Sequence, residues 1–161
     1  MKKLILFFCI SLMVAFVWGQ SKKDVKANKI KSVTVYQADN DNGTAVTFKE
    51  SYDEWDKDAH NTMSVEYNKD GTIKRKETAT FDIYGNKTEE TLFEFSTSQN
   101  KNEKKTYKYN ANGDRTEEAE YGAAGTLTKK TIYTYNANDD KTSEIAYDAS
   151  GNLVKKIVYT Y

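Results

Sequence analysis

The chain reads as an all-β protein: an antiparallel meander of about ten strands, built from hairpin repeats of 12 and 14 residues and forming an open twisted sheet. A closed or curled, barrel-like sheet is the alternative. Three observations predict this class. Aromatic residues recur at fixed spacing: Tyr67, Phe81, Phe95 and Tyr109 lie 14 apart, and Tyr121, Tyr135, Tyr147 and Tyr161 continue at 12 and 14. A turn signal comes after most of them. Between turns, the mid-strand charges change sign from one segment to the next.

The opening segment stands apart from this pattern. Lys2 and Lys3 precede a nearly unbroken apolar run from Leu4 to Trp18, and Val17-Trp18-Gly19 suits a cleavage site. Residues 1–19 therefore read as a secretory signal peptide, too short for a comfortable membrane span. Cleavage after Gly19 leaves 22 basic and 24 acidic residues, because Lys2 and Lys3 go from the 24 of each sign in the whole chain. The single Cys, Cys9, goes as well, so the exported chain carries neither disulfides nor a thiolate metal site. A charge of −2 lacks the basic footprint that nucleic acid requires. Twelve Tyr and only three Leu beyond the leader (Leu92, Leu127 and Leu153) make the apolar content thin and mostly aromatic.

Residues 20–66 read as N-terminal strands with a polar loop, in the same domain as the repeats. Lys31 to Gln37 and Thr44 to Tyr52 suit two strands around Ala38–Gly43. Tyr52 to Asn61 is polar and reads as a longer loop.

Residues 67–161 form the repeat region. Asn68-Lys69-Asp70-Gly71, Asp82-Ile83-Tyr84-Gly85, Asn110-Ala111-Asn112-Gly113, Gly122-Ala123-Ala124-Gly125 and Asp148-Ala149-Ser150-Gly151 share one form. An Asn or Asp at the first position caps the turn with its own side chain, and Gly supplies the left-handed residue that closes a type I turn with a G1 bulge. Asn136-Ala137-Asn138-Asp139 sets Asp in the Gly place, and Ser96–Asn100 departs from the form. Thr, Tyr, Val, Ile and Lys fill the intervening strands. Lys74-Arg75-Lys76, Glu89-Glu90, Lys104-Lys105, Glu117-Glu118, Lys129-Lys130, Glu144 and Lys155-Lys156 alternate in sign. Opposite charges then face each other across every ladder, at about 0.2–1 kcal/mol per pair, and slipped registers are penalised. Period-2 alternation within the strands gathers the aromatics on one face, in two rows.

The run Tyr107 to Asp114, Tyr-Lys-Tyr-Asn-Ala-Asn-Gly-Asp, resembles the tyrosine–aspartate (YD, or RHS) repeats, and Tyr147 to Asn152 is its sister run. The resemblance covers residues 67–161. In large members such repeats wind a sheet into a shell around a cargo. This chain is too short for a shell and looks more like short secreted Gram-negative proteins built from the same units. The resemblance implies a β-repeat fold and an outer location, and it carries over no catalytic residue.

Candidate chemistry is sparse. His60 is the single His and reads as a surface residue, so no nucleophile–base set can be assembled. Asp39-Asn40-Asp41-Asn42-Gly43 lacks carboxylates at the first and last positions of a calcium loop and reads as a hairpin connection. The Glu pairs sit on alternate faces opposite Lys-rich neighbours, which is structural pairing. No catalytic residue, metal ligand or cofactor is expected. The aromatic rows are the candidate binding surface: Trp55, Tyr109, Tyr121, Tyr133, Tyr135, Tyr147 and Tyr159. The expected role is a secreted, non-enzymatic structural or protein-interaction module at the cell envelope, in the periplasm, at the cell surface or outside. Its partner would be a protein or a glycan, met through the aromatic face or by strand pairing at the edge formed by Asn152 to Tyr161. A carbohydrate-binding protein using the aromatic face is the alternative. No membrane span is expected after cleavage.

Overall fold

A computed structural model describes residues 21–41, 43–95 and 100–161, with only the backbone of Asp41. The expected signal peptide and the irregular connection at Ser96–Gln99 lie outside the described residues. Ten strands come after one short helix: α1 (Lys22–Asn28), β1 (Ser32–Asp41), β2 (Thr44–Trp55), β3 (Asn61–Tyr67), β4 (Ile73–Phe81), β5 (Lys87–Glu94), β6 (Lys101–Tyr109), β7 (Arg115–Tyr121), β8 (Leu127–Tyr135), β9 (Lys141–Asp148) and β10 (Leu153–Val158). Their order in the sheet is their order in the sequence. β1 and β10 each have one neighbour, so the meander is open and does not close into a barrel. The chain divides into two compact units, the first reaching Thr78 and including Glu94 and Phe95, the second formed by Ala79–Phe93 and the strands from β6 onward.

One turn builds the hairpins. In the second unit, the Gly113 N–H donates to the Asn110 carbonyl and the Asn110 N–H to the Asp114 carbonyl, with Gly113 at φ +88°. This is the expected type I turn with a G1 bulge. The Asn110 Oδ1 accepts from the backbone N–H groups of Asn112 and Asp114. The fifth residue then closes back on the first: Asn110 Nδ2 donates to Asp114 Oδ2 at 2.9 Å. Asp82/Asn86, Asn136/Asp140 and Asp148/Asn152 make the same pair at 3.0, 3.1 and 3.0 Å. Each couple has one amide and one carboxylate. Asp139 takes the Gly place at φ +62°.

The first unit shows two departures from expectation. The stretch Tyr52 to Asn61 is not a long loop. β2 continues to Trp55, and Asp56–His60 is another copy of the turn: Ala59 takes the left-handed place at φ +63°, and Asp56 Oδ1 accepts from the N–H groups of Asp58 and His60. Without a Gly, this copy is hard to see in sequence. His60 fills the fifth position and bonds Asp56 through Nδ1 at 2.9 Å. Its side chain is only 13% exposed, so it is not the surface residue expected. The second departure is α1. Ser21 Oγ accepts from the Asp24 N–H as N-cap and donates to the Asp24 carboxylate, Lys29 ends the helix in the left-handed conformation, and Val25 is buried.

A bulge recurs beside the turns and inverts the expected faces. Tyr109 pairs with Arg115 but Lys108 with Glu117, which passes over Thr116. Thr128, Thr142 and Val154 are passed over in the next three hairpins, and Thr62 and Lys74 in the first unit. Each extra residue shifts the parity between successive strands. Tyr107 pairs with Glu118, which pairs with Thr131, then Ala146 and Lys155; Tyr133 pairs with Glu144 and then Ile157. Cross-strand partners share a face, so these residues lie together. Ala119, Tyr121, Ile145 and Tyr147 lie on the other face. The aromatics are thus divided between both faces rather than gathered on one, because alternation within a strand says nothing about a bulge at its end.

Candidate interaction surfaces

The second unit carries a repeated cluster on the Tyr107 face. Tyr107 is buried, and its hydroxyl donates to Glu90 Oε1 at 2.6 Å. The Arg115 guanidinium stands 4.4 Å over its ring. Tyr133 repeats the arrangement one hairpin pair later: Lys141 stands 4.8 Å over its ring, and its hydroxyl reaches Glu118 at 3.4 Å. In both cases the cation is the first residue of a later strand: β7 for Tyr107 and β9 for Tyr133. Burial, and after it the Glu90 hydrogen bond, raises the Tyr107 phenol far above its ordinary range. Burial and the charges of Glu118 and Glu144 raise Tyr133. Burial works against ionisation of Glu90, but hydrogen bonds from Lys87 and Tyr107 hold it below the usual carboxylate range. Each phenol of the array has a carboxylate at its hydroxyl and a cation over its ring.

A second repeated device pins the strand ends. The Tyr109 hydroxyl donates to the Lys87 carbonyl at 2.7 Å, Tyr135 to that of Arg115 at 2.8 Å, and Tyr161 to that of Lys141 at 2.9 Å. Tyr109 and Tyr135 each reach the first residue of the strand before their own, and Tyr161, beyond the end of β10, reaches the first residue of β9.

Ion pairs cross the ladders as the sign alternation predicts. Lys104 meets Glu89 at 2.7 Å, and Lys155 meets Glu144 at 3.1 Å. Glu117 is held between Lys108 at 3.0 Å and Lys130 at 2.8 Å, and the Lys130 hydrogen bond is the chief reason its pKa is lowered.

The expected binding residues do not form one surface. Tyr133 and Tyr159 share the Tyr107 face, Tyr121 and Tyr147 lie opposite, and the hydroxyl of Tyr135, like that of Tyr109, is engaged at a strand end. Trp55 belongs to the first unit, at the end of β2. All seven are half-buried. Sequence reasoning missed Tyr107, Arg115 and Lys141. Their signal was the basic residue that opens the strand after a turn, in Lys87-Thr88, Arg115-Thr116 and Lys141-Thr142.

The first unit holds a groove of about 820 Å³ whose lining includes Phe48, Glu50, Asp53, Tyr67 and Arg75. Its charges are mixed. Lys49 covers the Tyr67 ring at 4.1 Å and Lys69 the Phe48 ring at 5.5 Å. Among the described residues, no group of three or more His, Cys, Asp or Glu is placed to hold a metal ion, and no helix is long and apolar enough to cross a membrane.

β10 carries exposed aliphatic residues along the free edge of the second unit. Leu153, Val154 and Val158 are 59%, 64% and 62% exposed. Lys156 is exposed and makes no ion pair among the described residues.

No protein-family model matches the chain, and no curated protein does. A crystal structure of a DUF3836 family protein from Bacteroides vulgatus ATCC 8482 is similar over 54% of this chain and 99% of that one, at 20% identity and a TM-score of 0.40.

Proposed function

We propose that this chain is a secreted, non-enzymatic β-repeat protein that serves as a structural or protein-interaction module at the cell envelope. The observation that carries the reading is the β10 edge: a strand paired on one side only, with three exposed aliphatic residues. Unpaired strand edges bearing apolar side chains are ready templates for another strand. The Lys2-Lys3 and Leu4–Trp18 leader supports export, and the recurrent aromatic–Asx–x–x–Gly turn supports kinship with YD (RHS) repeats. The non-enzymatic reading is supported by the single His, which is engaged with Asp56. Carbohydrate binding through the tyrosines draws less support, since cations already cover a face of Tyr67, Tyr107 and Tyr133.

Fractionation of expressing cells tests this. The chain is expected in the envelope fraction, beginning at Gln20 by mass spectrometry. Leu153→Ser with Val158→Ser should leave export and the β spectrum intact but release the chain from that fraction. A chain kept inside the cell with its leader attached, or undiminished retention of the double variant, would sink the proposal.

A further inference from the structure

We infer that the open edge of β10 receives an extended strand of defined chemistry, a basic residue with a glutamate three positions later and an aliphatic residue directly after that. It docks antiparallel, with the glutamate opposite Tyr159 and the basic side chain over the Tyr159 ring. This rests on the edge-interaction reading above and specifies the partner.

β10 and the three residues after it repeat β8 at a spacing of 26, with Val154 and Ile157 in the places of Thr128 and Thr131. Leu127, Lys129, Lys130, Ile132, Tyr133 and Tyr135 recur as Leu153, Lys155, Lys156, Val158, Tyr159 and Tyr161. The outer neighbour of β8 is β9, and the register between them is defined: Tyr133 faces Glu144, Ile132 faces Ile145, and Lys129 faces Asp148. Lys141, three residues before Glu144, stands over Tyr133. The hairpin before it uses the same rule, with Tyr107 facing Glu118 and Arg115, three residues earlier, over the ring. At β10 these demands are unmet. Among the described residues no cation stands over Tyr159, and Val158, the counterpart of the paired Ile132, is 62% exposed. The charged arrangement, seen in two hairpins, and the apolar contact, seen between β8 and β9, therefore specify the same partner strand.

A second copy of β10 fits poorly. An antiparallel pair centred on the strand would set Lys155 against Lys156, and like charges directly opposite are destabilising. The partner is a protein that offers a strand of the β9 kind.

The test uses the full purified chain and an eight-residue peptide with the sequence of residues 141–148, read by amide hydrogen exchange in residues 153–158. At a peptide concentration about ten times its dissociation constant, exchange there should slow about tenfold. The peptide carrying Glu144→Lys, and the one carrying Lys141→Glu, should protect far less. In the chain carrying Tyr159→Leu, the preference for Lys141 over Lys141→Glu should vanish while the preference against Glu144→Lys persists. Equal protection by all three peptides would overturn the specified chemistry and leave the edge reading standing. Absence of protection by any of them would remove both. A Lys141 preference that survives in the Tyr159→Leu chain would overturn the docking geometry over the ring.

Discussion

At the scale of single residues, the hydroxyls separate two kinds of tyrosine. Tyr135 donates to the Arg115 carbonyl, whereas the Tyr147 hydroxyl has no hydrogen-bond partner among the described residues. A hydrogen bond of this kind contributes about 0.5–1.5 kcal/mol net. Tyr135→Phe should therefore lower the urea midpoint, and Tyr147→Phe should leave it nearly unchanged. The left-handed positions give a second contrast. Ala59 sits where five other turns use Gly, at φ +63°. The strain on its Cβ is of order 1 kcal/mol, offset in part by the greater freedom of Gly in the unfolded chain. Ala59→Gly should raise stability by a few tenths to about 1 kcal/mol, measurable by chemical denaturation. Asp148 titrates below its ordinary value of 3.8, held down by the Asn152 side chain and then by the N–H of Asn152. A carboxylate with a lowered folded pKa contributes stability above its unfolded pKa and loses it as pH falls through the folded one. The urea midpoint should fall below about pH 4, and Asp148→Asn, which keeps the Oδ1 acceptor, should flatten that limb.

At the scale of elements, the charge alternation and the turns were legible in the sequence because both are local or strictly periodic. The sign pattern gives the strand order, and Asn/Asp with Gly gives the hairpins. The faces were not legible, because Thr116, Thr128 and Thr142 look like ordinary strand residues yet are the ones the ladders pass over. The Asp56–His60 turn was hidden by Ala in the Gly place and His in the Asx place. Its aromatic, Trp55, and its first residue, Asp56, fit the form. α1 was hidden by its length, although Ser21 and Asp24 spell a capping box. The ladder of ion pairs makes its own prediction. Glu117→Lys opposes both Lys108 and Lys130 and should destabilise by about 1 kcal/mol, because each such pair is worth about 0.2–1 kcal/mol. Lys130→Glu placed in that background should restore part of the loss, and a double-mutant cycle by denaturation reads the coupling.

At the scale of the whole molecule, the meander has two free edges, and an edge that welcomes a partner must also refuse copies of itself. Lys155 and Lys156 are placed to do so. Replacing both with Thr should increase self-association, seen by light scattering. The 26-residue recurrence has a further consequence, for how such a chain can lengthen or shorten. Excising residues 110–135 would join Tyr109 to Asn136, the same junction as Tyr109–Asn110, and would set the lysines of β6 beside Glu144. Excising only residues 110–121 would set them beside Lys129 and Lys130 instead. The first deletion should retain a cooperative β-sheet transition by circular dichroism and the second should not. Chains of this design can therefore gain or lose strands in twos, a parity imposed by electrostatics rather than by the backbone.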